Sequence, residues 1–201
     1  MTQRNTALSA IVGIVVCGLV GCAAEGAPAQ PSTQVTESVA AEPSSTYTIP
    51  PRPAMEPPAE PELTGVDIDN AYVLAKYYFD LYQYVVTTGE TASWEKYAHP
   101  ECEYCAKVQA NAEKDRETGS WSDVKFGILN SERFYSTGDI DFRIDFLIER
   151  GKITYYTPDE AHKVDPGQNT LVIGLKAEGD ELLVRSFDII GSSFFGQEQL
   201  P

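Results

Sequence analysis

The chain has 201 residues, with 15 Lys and Arg against 30 Asp and Glu and a formal net charge of -15. That balance repels phosphate backbones and anionic headgroups, which excludes nucleic acid as a partner class and marks a solvated, soluble surface. The length suits one domain with appended segments rather than two full domains.

Residues 1–21 have the order of a signal peptide: Arg4 supplies positive charge, Ala7 to Val20 is apolar, and small residues precede Cys22. The apolar run is short for a spanning helix, which needs about 20 residues. Leu19-Val20-Gly21-Cys22 resembles the lipobox of bacterial lipoproteins, and the resemblance implies diacylglyceryl modification of Cys22 and cleavage ahead of it. Cys17 is a poorer acceptor, because Val15-Val16 offers no small residue before it. The expected location is the extracytoplasmic face of the cell membrane, with membrane lipid as the first partner. No later stretch is apolar for long enough to cross a bilayer.

Residues 22–63 read as an unfolded stalk. Nine of the 13 prolines fall between Ala23 and Glu62, and Tyr47 is the only aromatic there. Such a segment buries too little apolar surface to offset the entropy of ordering. Its second half favours extended polyproline geometry, and its Ser and Thr content suits O-glycosylation.

A domain is expected over 64–190, with 191–201 as a C-terminal tail. Ala71, Leu74, Ala75, Tyr78, Leu81, Tyr82 and Val85 share one helical face, with Asp67 or Asp69 as N-cap and Gly89 as C-cap. Thr91 opens a short helix through Tyr97, and Pro100 opens a third that runs to Gly119. After Gly119 the period becomes two. Strands are expected at Val124–Ile128, Ile140–Ile148, Ile153–Tyr156, Leu171–Ala177 and Leu182–Ile190, with a polar loop around Pro158, Pro166 and Gly167. Ile140, Phe142, Ile144, Phe146 and Ile148 face a core, while Asp141, Arg143, Asp145 and Glu149 face solvent. The fold class is α+β: three N-terminal helices packed on a curved antiparallel sheet of about five strands.

The run Ala71-Tyr-Val-Leu-Ala-Lys-Tyr-Tyr-Phe-Asp-Leu-Tyr-Gln-Tyr84, followed by Thr88-Gly-Glu-Thr91 and Cys102-Glu-Tyr-Cys105, is similar to a family of uncharacterised actinobacterial lipoproteins. The resemblance implies an envelope lipoprotein with a lipobox, a Pro/Ser/Thr-rich spacer and one domain of unknown function. The element order also resembles the nuclear transport factor two-like cone, in which a curved sheet wraps a long helix and leaves a pocket. Fold alone does not assign an activity.

Cys102 and Cys105 are the cysteines left outside the signal and the lipidation site, in a compartment where disulfides persist. They are read as a local disulfide between the second and third helices. The alternative is a redox CxxC at a helix N-terminus, which lacks the βαβ setting of such sites. His99 adds a third potential metal ligand, one short of a closed zinc site. Haem attachment fails at Ala106, where a histidine is required. His99 and His162 have no nucleophile-elbow serine beside them, and neither a P-loop nor a dinucleotide fingerprint is present.

No catalytic residue, metal or cofactor is assigned, and the chain is read as a non-enzyme. Tyr72, Tyr78, Tyr82, Phe126, Phe142 and Phe146 are the candidate pocket wall, from the helical stripe and the strands facing it. The expected partners are an envelope protein, a glycan or a small apolar ligand. The alternatives are a cone-fold enzyme with a small-molecule pocket, or a thiol-disulfide protein acting through Cys102 and Cys105.

Overall fold

The computed structural model describes residues 47–197. The expected signal segment, Cys22 and the first part of the expected stalk lie outside the described residues. Among the described residues no helix is long and apolar enough to cross a membrane.

Three helices come first: α1 (Ile68–Thr88), α2 (Ala92–Tyr97) and α3 (Glu103–Thr118). The N-cap of α1 is Asp67, whose Oδ1 accepts the amides of Asp69 (3.0 Å) and Asn70 (2.8 Å). Its end is Gly89 at φ 75°, where glycine is needed twice over. The left-handed backbone disfavours a side chain, and a Cβ there would sit 2.6 Å from the Arg52 guanidinium. Helix α3 starts at Glu103, capped by Cys102, rather than at Pro100, because Ala98 and His99 are drawn into extended contact with Val184. The His99 amide donates to Val184 O at 2.9 Å.

Seven strands follow: β1 (Trp121–Asp123), β2 (Phe126–Tyr135), β3 (Phe142–Arg150), β4 (Ile153–Tyr156), β5 (Ala161–Val164), β6 (Gly167–Glu178) and β7 (Glu181–Gly191). They form two antiparallel sheets, a four-stranded one in the order β2-β3-β6-β7 and a three-stranded one in the order β1-β4-β5. The fold is α+β, and the single sheet expected from the sequence is corrected to two. The chain breaks at Gly151, and β4 leaves the large sheet to pair with the short β1, which packs on α1. The polar loop contributes β5, whose four residues lack an apolar alternation.

The core lies between α1 and the large sheet. Phe142, Ile144, Phe146 and Ile148 of β3 are buried beside Leu175, Ile173 and Leu171 of β6, against Ala71, Leu74, Tyr78, Leu81 and Val85 of α1. Trp94 of α2 plugs the helical end, stacking on Tyr78 at 3.9 Å and donating its indole N–H to Cys105 O at 3.0 Å. A bulge between Ile128 and Asn130 shifts β2, so that Ser131, Arg133 and Tyr135 oppose Phe146, Ile144 and Phe142.

Two expectations about exposure are corrected. First, the stalk does not extend to residue 63. Residues 47–63 belong to the same compact unit as the helices and sheets. The Arg52 guanidinium donates to Thr88 O at the end of α1, to Asp115 O (3.1 Å) in the last turn of α3, and to Ser120 O before β1. Trp121 donates its indole N–H to Pro50 O at 2.9 Å, and Glu60 pairs with Lys96 and accepts from the Tyr97 hydroxyl. This strap needs no core of its own, because the folded domain satisfies its polar groups and it supplies a cation where helix carbonyls end. Arg52→Ala is expected to cost about 1.5–3 kcal/mol of stability, the range for hydrogen bonds from a charged group. Denaturant melts check the cost, and limited proteolysis should show faster cleavage within 47–63.

Second, the outer face of the large sheet is not a solvated polar face. Residues after β7 turn through a short 3-10 segment (Ser192–Phe194) and fold back over it. Asp145 is fully buried beneath them, bonded to Arg143 at 3.0 and 3.1 Å, with the Gly196 amide near its carboxylate. The Arg143 guanidinium also donates to Gln197 O and lies over the Phe134 ring at 4.1 Å. Asp141, expected to face solvent, accepts the Ala177 amide at 2.8 Å. Ile140 leaves the core-facing set and packs over Gly174, where a Cβ would lie 2.8 Å from its Cγ2.

Candidate functional site

The six aromatic residues proposed from the sequence as a pocket wall do not surround one cavity. Tyr78 and Phe146 are fully buried and Phe142 nearly so. Phe146 lies 5.7 Å from Tyr72 and 6.4 Å from Phe79, while Phe126 lies 5.4 Å from Phe79 and 6.0 Å from Tyr82. Rings fill the space between α1 and the large sheet, as a packed core does. Tyr82 is the member of the set that reaches a cleft.

That cleft has a volume of about 260 Å³ and lies between α1, α3 and the small sheet. Helix α1 contributes Tyr82 and Val86, β1 contributes Ser122, and β4 contributes Tyr155. The rest of the wall is one face of α3: Tyr104, Lys107, Val108, Asn111, Ala112 and Asp115, at the three- and four-residue spacing of neighbours on a helix surface. Val108 and Ala112 are buried and form an apolar floor, and the polar members stand at the sides.

The tyrosines are held firmly. Tyr82 packs against Phe187 at 5.3 Å and Trp94 at 6.2 Å, and Tyr104 stacks on Phe187 at 5.4 Å. The Tyr104 and Tyr155 hydroxyls lie close enough to the Tyr82 hydroxyl to act on its electrostatics. Burial pushes the Tyr82 hydroxyl far above the ordinary phenol range, so it stays a neutral donor. Burial also raises the Asp115 carboxyl, while the nearby Arg52 and Lys114 charges oppose that rise.

Arg52 ties the cleft to the strap. Its three carbonyl acceptors, Thr88, Asp115 and Ser120, lie at the ends of α1 and α3 and just before β1. Those elements supply three of the cleft's walls, so one guanidinium fixes their spacing at a shared end.

Other cavities have less to offer. One, about 390 Å³, lies between Pro61, Leu63 and the β6–β7 turn, where Lys96 is already engaged by Glu60. A third, about 240 Å³, runs from the start of α3 to Arg185 and Asp188 of β7.

Cys102 and Cys105 are joined in a disulfide at the start of α3, with Cα atoms 5.2 Å apart. Both are buried, at 2% and 1% exposure. His99 accepts from the Glu101 amide through Nδ1 at 3.1 Å and faces Glu178 through Nε2 at 3.4 Å. His162 lies on β5 beside Glu160 and is exposed.

Sequence reasoning missed Tyr104, Asn111, Asp115 and Tyr155. The α3 members carry a legible signal, a polar stripe at 104, 107, 111 and 115 alternating with the apolar pair Val108 and Ala112. Tyr155 carries none, because only the pairing of β4 with β1 brings it beside α3.

Among curated proteins, none matches the chain. Among solved structures it is similar to the intermembrane space region of the chloroplast protein ARC6, at 9% sequence identity and a TM-score of 0.48, with 63% of this chain and 98% of that chain covered. A family model described as a family of unknown function, DUF6318, matches residues 45–171. The match takes in the docked strap, the three helices, β1 to β5 and the start of β6. The chain belongs to DUF6318, a family of unknown function.

Proposed function

We propose that this chain is a lipoprotein of the cell envelope, held on the extracytoplasmic face by a diacylglyceryl Cys22, that presents a non-catalytic binding domain on a tether of residues 22–46. The helices on their sheet are read as a filled form of the nuclear transport factor two-like cone, with the binding site moved to its flank. The observation that carries the binding reading is the cleft, where packed tyrosines, an amide and a carboxyl line an apolar floor between α1, α3 and β4. The anchor rests on Leu19-Val20-Gly21-Cys22 at the end of an apolar run. Two or more acyl chains hold a protein stably on a bilayer.

Intact-mass analysis of the mature N-terminus tests the anchor. The expected product starts at a diacylglyceryl Cys22, and Cys22→Ala should move the protein from the membrane fraction to the soluble one. An unmodified Cys22, or a mature chain beginning elsewhere, overturns this reading.

A further inference from the structure

We infer that the cleft between α1, α3 and β4 is a subsite for a neutral pyranose ring of an envelope glycan. The inference rests on the reading of this cleft as a binding site and names the chemistry of its occupant.

The charges select first. Asp115 lies on the wall, in a chain of net charge -15, which disfavours an anion; Lys107 on the same wall disfavours a cation. The mixture of hydroxyl, amide and carboxyl groups with a small apolar floor disfavours a purely apolar ligand, which would leave those groups without partners. A pyranose answers both demands. Its C–H face packs against apolar and aromatic surface, and its equatorial hydroxyls need donors and acceptors around the edge.

The wall supplies each part. Tyr155 is 41% exposed and offers its ring at the mouth. Val86, Val108 and Ala112 make the floor. The Tyr82 and Tyr104 hydroxyls, Asn111 and Asp115 border it with donors and acceptors. Because Tyr82 and Tyr104 are already packed against Phe187, binding orders few side chains.

A ligand-observed NMR titration of the intact lipidated protein, in a sugar-free polyoxyethylene detergent, tests the inference. The probes are maltose and N,N′-diacetylchitobiose, with choline as the cationic comparison. At least one disaccharide should bind saturably. Tyr155→Ala should weaken it about tenfold or more, the factor that follows from losing a stacking contact of ordinary strength. Tyr155→Phe, which keeps the ring, should retain most of the affinity, and Asn111→Ala should weaken binding without shifting the melting temperature. Absence of saturable binding by either disaccharide, or binding indifferent to Tyr155→Ala and Asn111→Ala, overturns the inference. Choline binding that is lost in Tyr155→Ala also overturns the saccharide, while leaving the cleft as a binding site. If none of the three probes depends on the cleft residues, the cleft reading itself falls with it.

Discussion

Asp145→Ala is expected to destabilise the domain by about 3–5 kcal/mol, the cost of breaking a buried ion pair by removing one partner. The substitution removes the carboxylate that accepts both bonds from the Arg143 guanidinium, whose side chain is 11% exposed, beneath the C-terminal segment. Replacing both partners, Arg143→Met with Asp145→Leu, should recover most of the loss, since apolar groups of similar volume remove the need for pairing. Chemical denaturation of the two variants beside wild type is the measurement. Equal destabilisation of the single and double variants would show that the pair is not the source of the effect. The pH dependence follows from burial, which holds the Asp145 carboxyl above the ordinary carboxylate range against the opposing pull of Arg143. With the folded pKa raised, the folded chain holds more protons than the unfolded chain between the two values, so this group's contribution falls as pH rises through that window. Asp145→Asn, uncharged at every pH, should flatten that part of the stability profile.

The burial of Asp145 shows where sequence patterning ends. Strict alternation from Phe142 to Ile148 places the core face of β3 correctly, because Phe142, Ile144, Phe146 and Ile148 all pack inward. The same alternation assigns Asp145 to solvent, and there it fails: what covers the outer face is a segment 50 residues later, through tertiary contact that no local period encodes. The strap fails in the same way. Proline content reports correctly that 47–63 forms no helix or strand of its own, but Arg52 and Pro50 find partners on α1, α3 and β1. By contrast, α1 is almost wholly local in origin, with an apolar stripe, an aspartate cap and a glycine at its end; its end at Gly89 is readable to the residue and its start to the pair Asp67 or Asp69, of which Asp67 is the cap. Strand β2 is half legible, because the bulge at Leu129 resets the alternation that identifies it. The cleft was the least legible feature. Tyr82 marks it from α1, but Tyr104 and Tyr155 meet only after the small sheet has formed, so their shared role is a property of topology rather than of spacing.

Phe146→Ala is expected to destabilise the domain by about 3–5 kcal/mol, the range for truncating a buried aromatic side chain in a core that relaxes only partly. Phe146 is fully buried at the centre of the large sheet, paired across to Ser131 on β2 and Leu171 on β6, with Tyr72 and Phe79 of α1 above it. Removing its ring opens a void that touches the helix and both neighbouring strands at once. Phe142 stands nearer the end of the strand, beside Tyr135, which is 76% exposed, and its truncation should cost less because the rim can close around it. Thermal and denaturant melts of the two alanine variants establish the order. The contrast also separates core from cleft: Phe146→Ala should lower stability while a folded fraction keeps its saccharide affinity, and Tyr155→Ala should do the reverse. If Phe146→Ala instead left stability intact and abolished ligand binding, the interior between α1 and the large sheet would be a binding cavity, and the flank cleft would lose its place as the site.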